Sequence, residues 1–300
     1  MIAPASAFSL PSFAKVNLGL NVIGKRADGF HDIFTVFQTV SLHDTLTFAP
    51  SRTLTLECDN STLQTNKSNL IIQAAIRLCA YVGTERGAAI KLKKRIPIGA
   101  GLGGGSSNAA VALIGLCRLW NIESDDHMLN RIAADLGSDV PFFLHGGTAF
   151  GSGCGIDIEP APNFVAENII IVKPKIAVST AEAFEALNAR SLTKSDANHI
   201  LQNCRSEAES YDSYLETMRN DFEKTVFAAY PEVGMAKQRL LELGASHSLL
   251  SGSGASVFGL FDTKETRQTA MKALDEQVNW RKFAVATISR VAYCEALELN

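Results

Sequence analysis

Five of the seven residues from Gly99 to Gly105 are glycine, and Ser106, Ser107 and Asn108 follow directly. Glycines let backbone N–H groups turn inward and let a ligand approach with no Cβ in the way. Ser and Asn are good helix N-caps, and a helix start adds unpaired N–H groups and the positive end of its dipole. The chemistry this run suits is phosphate binding. A plain flexible surface loop explains it less well. The loop is not of the GxxxxGK[ST] type, which occurs nowhere in the chain. It does satisfy GxGxxG through Gly99, Gly101 and Gly104. A dinucleotide fold would then need a second parallel strand ending in an acid about 20 residues on. Glu123 and Asp125 stand near that distance, but Trp120-Asn121-Ile122-Glu123 is too short and polar for the strand. A hydride-transferring oxidoreductase is therefore the weaker alternative.

Asp139 is a second candidate. It follows the helix stop Gly137 and precedes Pro141, so it sits in an irregular turn, where an aspartate usually serves the turn itself. Lys15 is a single lysine on an expected strand and by itself reads as solvated. The six cysteines (Cys58, Cys79, Cys117, Cys154, Cys204, Cys294) are scattered, with no CxxC and no His at zinc spacing. They read as thiols of a reducing compartment, not a disulfide framework or a zinc site.

The elements that must carry these residues follow from periodicity. Thr45–Phe48 and Thr53–Cys58 alternate apolar and polar residues and predict strands. Asn69–Tyr81 predicts a helix with Leu70, Ile71, Ala74, Ala75 and Leu78 on one side. Ala88–Ile98 predicts a strand with Ile90, Leu92 and Ile96 inward and Lys91 and Lys93 outward. The glycine run then feeds a small-residue helix from about Asn108 to Trp120, and a second helix runs from Asp126 to Leu136. Phe142–Leu144 is a short apolar stretch, and glycine-rich turns follow through Gly155. Beyond Pro160–Asn163 come a strand at Ile169–Val172, a helix at Thr180–Leu187, a polar connection at Ser191–Asn198 and helices between Ile200 and Leu243. Ser246–Gly254 reads as a second Gly/Ser loop, Ser256–Phe261 as a strand, Glu265–Glu276 as a helix and Phe283–Val291 as a closing strand. This order predicts an α+β fold in two lobes, residues 1–160 and 161–300.

At 300 residues, 46% hydrophobic and 20% charged, the chain has the apolar content of a globular protein and not of a disordered one. A formal charge of -3 gives no broad field for nucleic acid or an anionic membrane. No window approaches the ~20 apolar residues of a membrane span. The N-terminus lacks a basic stretch and carries two prolines, which makes a poor signal peptide and points to the cytoplasm.

Taken with its flanks, Pro97-Ile98-Gly99-Ala100-Gly101-Leu102-Gly103-Gly104-Gly105-Ser106-Ser107-Asn108 resembles the ATP-binding loop of the GHMP kinase superfamily, which includes galactokinase, homoserine kinase and mevalonate kinase. Further segments agree in order. They are Ala14-Lys15-Val16-Asn17-Leu18, Gly24–His31, Leu136–Phe143, Asn220-Asp221-Phe222-Glu223 and Leu250–Gly254. Together they are similar to the branch whose acceptor is a cytidine-diphosphate-linked polyol of isoprenoid synthesis. The resemblance implies a two-lobe GHMP kinase fold, with an N-terminal lobe like ribosomal protein S5 domain 2 and a ferredoxin-like C-terminal lobe. It implies transfer of the ATP γ-phosphate to an acceptor hydroxyl, with Asp139 as base and Lys15 as its electrostatic partner.

The same resemblance assigns the Pro97–Asn108 run to the ATP phosphates and Asn69 and Lys94 to the adenine. Taken alone, those two read as a helix cap and an exposed strand lysine. Asn17, Phe30, His31, Thr180 and Phe184 match acceptor-binding positions, with Phe30 and Phe184 as an aromatic clamp. Phe30 stands where that branch usually has Tyr, and Ser138 where it has Ala. Alone, Phe184 would be core and Thr180 a helix cap. Mg²⁺ is the expected companion of ATP, with Ser106 or Ser107 offering a hydroxyl. The expected partner is a small molecule, with neither nucleic acid nor membrane, and the protein a monomer or weak homodimer. The rivals are another kinase of the superfamily, of homoserine or mevalonate type, and a nucleotide-binding protein without activity.

Overall fold

The computed structural model describes residues 6–123, 125–187, 201–206, 215–216 and 218–299. Two sheets carry the architecture. The first contains β1 (Phe8–Lys25), β2 (His31–Pro50), β3 (Leu54–Cys58), β4 (Ala88–Lys93), β5 (Thr148–Ser152) and β6 (Asp157–Pro160). β1 and β2 form one long antiparallel hairpin. On its other edge β2 pairs with β4 through Thr45–Pro50 and with β5 through Thr35–Gln38. β3 joins β4 in parallel, and α1 (Leu70–Val82) lies between them in the chain. The second sheet is antiparallel, in the order β10 (Trp280–Val285), β7 (Ile169–Pro174), β9 (Val257–Leu260), β8 (His247–Leu250). The chain passes from the first sheet to the second between Pro160 and Ile169.

Expected burial holds in β4, where Ile90 and Leu92 are buried while Lys91 and Lys93 are exposed. β1 shows no alternation, because both of its faces are covered from Phe13 to Asn21. α1 opens on Asn69, whose side chain accepts from the Ile71 N–H at 2.9 Å, and closes on Gly83 in the left-handed region. α2 (Gly104–Trp120) lies across the first sheet, and its small residues allow close approach. A Cβ on Gly115 would stand 2.4 Å from the Phe48 ring. α3 (Asp126–Leu136) and the single turn α4 (Phe142–His145) follow. In the second lobe α5 (Thr180–Ala186), α6 (Glu223–Ala229), α7 (Pro231–Glu242) and α8 (Lys264–Ala273) surround the sheet. Residues 201–206 are also helical. The polar connection expected at 191–198 lies outside the described residues.

Four local expectations differ, the first being β4, which ends at Lys93 instead of Ile98. α2 begins at Gly104, four residues before Asn108, because Gly103 turns the chain in the left-handed region (φ 65°) and no side chain caps the helix. Ser107 and Asn108 are buried within the first turns instead of capping it. The expected loop at 246–254 contains strand β8, since Ser248, Leu249 and Leu250 are buried against β9. The closing strand ends at Val285, and α9 (Arg290–Leu297) follows, started by the Ser289 hydroxyl accepting from the Ala292 N–H at 3.2 Å. α9 buries Tyr293, whose hydroxyl donates to the Phe143 carbonyl at 2.6 Å. Among the described residues no helix is long and apolar enough to cross a membrane.

Candidate active site

A cleft of about 1130 Å³ lies between the lobes. Its floor is the glycine run. With Gly103 as a left-handed N-cap, the first turn of α2 leaves the N–H groups of Gly104, Gly105 and Ser106 without acceptors among the described residues. These are the orphan donors of a helix start, at the positive end of its dipole. The second glycine loop supports the first. Ser251 Oγ donates to the Gly101 carbonyl at 3.0 Å, and the Ser256 N–H donates to the Ala100 carbonyl at 3.1 Å. A Cβ on Gly101 would fall 2.1 Å from the Ser251 carbonyl oxygen, so the two backbones meet where only glycine fits.

The Asn220–Glu223 segment holds that second loop. Asn220 Nδ2 donates to the carbonyls of Leu250 and Gly252, both at 2.8 Å, and Glu223 Oε1 accepts from the Leu250 N–H at 3.0 Å. Asp221 accepts from the Val22 N–H at 2.7 Å and ties the segment to β1. This network gives a physical reason for the NDFE sequence.

Lys15 and Asp139 meet beside the floor. Lys15 Nζ is 3.3 Å from Asp139 Oδ2, with the lysine side chain 3% exposed and the carboxylate 34%. Lys15 sits mid-strand in β1, and its N–H donates to the Leu102 carbonyl at 3.1 Å. A Cβ on Gly103 would stand 2.7 Å from the Phe143 ring and 3.0 Å from Lys15 Cγ. The glycine therefore makes room for both. Asp139 projects from the turn between α3 and α4. That turn is anchored by Phe142 stacked on Phe37 (4.8 Å) and by the Tyr293–Phe143 bond.

Of the positions matched to ATP, all but Ser107 line the cleft. The Ser107 hydroxyl lies 2.7 Å from that of Ser12, inside the protein, which leaves Ser106 as the hydroxyl facing the cleft. Asn108 lines the cleft, but its amide donates to Ser12 Oγ at 2.8 Å and Asp44 Oδ2 at 2.9 Å. Lys94 is not an exposed lysine: its side chain is 5% exposed and its ammonium pairs with the fully buried Asp44. Asn69 both caps α1 and lines the cleft.

Asn17, Phe30, His31, Thr180 and Phe184 line the same cleft, the first three from the β1–β2 hairpin and the last two from α5. Phe184 stacks on His31, with ring centroids 5.0 Å apart and planes at 23°. Phe30 is 62% exposed, held on a tight hairpin where its N–H donates to Asp28 Oδ1 at 3.1 Å and Arg26 grips Asp28 and Asp32. The His31 and Phe184 rings are already in contact, so a base cannot slide between those two without their parting. Burial, and after it the Lys25 ammonium, hold the His31 ring below its ordinary pKa. Ser179 caps α5, leaving the Thr180 hydroxyl 2.9 Å from that of Ser253. Sequence reasoning missed Thr62, Gln64 and Ser68, which line the same cleft, and gave no site role to Ser138 and Cys154, which line it too. The polar run Asn60–Asn69 was the available signal. Burial raises the Cys154 thiol above its usual pKa, which keeps it protonated.

The family model for the GHMP kinase N-terminal domain matches residues 69–147, and that for the GHMP kinase C-terminal domain matches 188–279. A 4-diphosphocytidyl-2-C-methyl-D-erythritol kinase of Prosthecochloris aestuarii is 41% identical over 268 residues, 89% of this chain and 93% of its own. The protein of the same name from Solibacter usitatus is 40% identical over 95% of this chain and 90% of its own. A crystal structure of a 4-(cytidine 5'-diphospho)-2C-methyl-D-erythritol kinase superposes with a TM-score of 0.74 at 32% identity, covering 93% of this chain and 99% of that one. The mevalonate kinase of Methanococcus jannaschii shares the fold alone, with a TM-score of 0.71 at 14% identity over 96% of this chain and all (100%) of that one. The chain belongs to the GHMP kinase family, and within it to the 4-diphosphocytidyl-2-C-methyl-D-erythritol kinases.

Proposed function

We infer that this chain transfers the γ-phosphate of ATP to the 2-hydroxyl of 4-diphosphocytidyl-2-C-methyl-D-erythritol, a step of the non-mevalonate isoprenoid pathway. The observation that carries the reading is the convergence of a phosphate-binding helix start and a lysine–aspartate pair on one cleft. Its volume exceeds the ~300–1,000 Å³ of a single small-molecule site, which suits two substrates at once.

In this reading the N–H groups of residues 104–106 hold the phosphates and Lys94, Asn69 and Pro97 border the adenosine. Asp139 accepts the proton of the attacking hydroxyl, which requires an approach to about 2.6–3.2 Å. The Lys15 ammonium favours the ionised carboxylate and faces the charge that develops on the transferring group. Asn17, Phe30, His31, Thr180 and Phe184 hold the acceptor, with Phe30 and Phe184 as the aromatic surfaces for the cytidine. Among the described residues no three His, Cys, Asp or Glu side chains cluster as a metal site. Ser106 and Asp139 are among the oxygen donors lining the cleft, which fits a Mg²⁺ ligated largely by the nucleotide. When bound, that ion would neutralise phosphate charge. Residues 1–160 and 161–300 serve as the two lobes, a boundary supported by the change of sheet between β6 and β7.

The test is coupled ADP release with ATP and, in turn, 4-diphosphocytidyl-2-C-methyl-D-erythritol, homoserine and mevalonate. Release with the cytidine substrate alone is expected. Release only with homoserine or mevalonate would overturn the assignment.

A further inference from the structure

Behind Lys15 runs a buried chain of hydrogen bonds whose direction is forced at both ends. Lys15 Nζ donates to Asn17 Oδ1 at 2.6 Å. Asn17 Nδ2 donates to Thr35 Oγ1 at 2.7 Å, and Thr35 Oγ1 donates to the Gly19 carbonyl at 2.6 Å. An ammonium can only donate and a carbonyl can only accept. The Thr35 hydroxyl has one proton and spends it on Gly19, so it can only accept from Asn17. The Asn17 amide must then turn its oxygen to Lys15. If it were reversed, an NH₂ group would face the ammonium.

All three residues are buried, at 2% exposure for Lys15, 1% for Asn17 and 0% for Thr35, so water cannot substitute for a lost partner. The backbone is shaped to make the chain. β1 shifts register against β2 between Asn17 and Gly19, which puts the Asn17 side chain and the Gly19 carbonyl on the same hydroxyl. On the far side a Cβ at Gly151 would stand 3.0 Å from Thr35 Cγ2, so β5 leaves just enough room for the threonine methyl.

We propose that Thr35 is a positioning residue of the phosphoryl-transfer step: its hydroxyl fixes which way the Asn17 amide faces, and through it where the Lys15 ammonium stands beside Asp139. The inference rests on the catalytic pair described above. Thr35 lies outside the cleft lining and reaches the site only through Asn17.

The test compares Thr35→Ser, which keeps the hydroxyl and loses the methyl, with Thr35→Val, which keeps the shape and loses the hydroxyl. Thr35→Ala, which loses both, stands in if the valine variant does not fold. A hydroxyl role predicts kcat within about threefold of wild type for Ser and a loss of about 10- to 100-fold for Val and Ala, with the KM for ATP nearly unchanged. In an Asn17→Ala background the same Thr35 substitutions should add less than about twofold, because Thr35 acts through Asn17. A packing role predicts the reverse order, with Ser and Ala impaired alike, and that result overturns the proposal. A readout free of substrate accompanies it. In ¹⁵N-lysine-labelled protein the Lys15 ammonium resonance should be preserved in Ser and shifted or broadened in Val or Ala. An unaltered resonance in Val or Ala overturns the inference even if the enzyme's substrate is another one. A wild-type protein inactive on the cytidine substrate, with the resonance responding as described, sinks the functional assignment instead.

Discussion

Replacing Gly101 by alanine tests the joint between the two glycine loops. Gly101 has φ +73°, a conformation that costs an L-residue roughly 1–2 kcal/mol. The added Cβ would lie 2.1 Å from the Ser251 carbonyl oxygen and 2.9 Å from that of Gly254. Both neighbours are backbone, so the loops must part. Parting them breaks the Ser251–Gly101 and Ser256–Ala100 bonds, each worth about 1 kcal/mol net. The sum is about 3–4 kcal/mol. Gly105→Ala is the internal control. Its Cβ would make an ordinary 3.7 Å contact with Leu70 and its backbone is helical, so alanine should be neutral or stabilising by up to about 1 kcal/mol. Urea unfolding of the two variants gives the comparison, and ATP titration of Gly101→Ala should show an affinity loss of at least about tenfold. Equal midpoints for Gly101→Ala and Gly105→Ala would refute the close-contact argument.

Lys94→Met strands the fully buried Asp44 with only its three N–H donors, from Arg95, Ile96 and Asn108, and should cost about 3–5 kcal/mol by urea unfolding. Adding Asp44→Asn should recover part of that loss. Phe184→Ala removes a stacking surface worth about 1–3 kcal/mol per base, so the acceptor KM should rise about 5- to 150-fold with the ATP KM unchanged in initial-rate assays. His31 titrates below its ordinary value in the folded chain because burial disfavours the cation, with Lys25 adding to it. The unfolded chain therefore binds the proton first. The histidine's effect on stability is absent above about pH 6.5, grows as pH falls from there toward the lower folded value, and is complete below it. His31→Gln should flatten that part of the pH–stability curve, and an unchanged acid limb would show that His31 is not its source.

The glycine run proposed to hold phosphate was legible because its chemistry is local: a strand ends, glycines follow and a helix begins. β4 and α1 were legible for the same reason, since one face is buried and period 2 or 3.6 shows through. β1 was harder to read, because both its faces are covered and alternation vanishes. The helix start at Gly104 escaped because it rests on a backbone turn at Gly103 and not on a capping side chain. α9 carried a usable signal in Ser289, hidden by the apolar run before it. Lys15 and Asp139 are 124 positions apart and neither looks catalytic alone. Their pairing is a product of the sheet and the α3–α4 turn, so only resemblance could suggest it from sequence. The Asp44–Lys94 pair and the Thr35 chain are tertiary in the same sense and left no local trace.

Phosphoryl transfer in this cleft depends on proton acceptance by Asp139. Asp139→Asn keeps the size of the side chain and its contact with Lys15 but cannot take the hydroxyl proton. Single-turnover phosphorylation with the cytidine substrate should slow by about 10²- to 10⁴-fold, while the dissociation constant for ATP stays within about threefold. Turnover near the wild-type rate in a variant that binds ATP normally would contradict it.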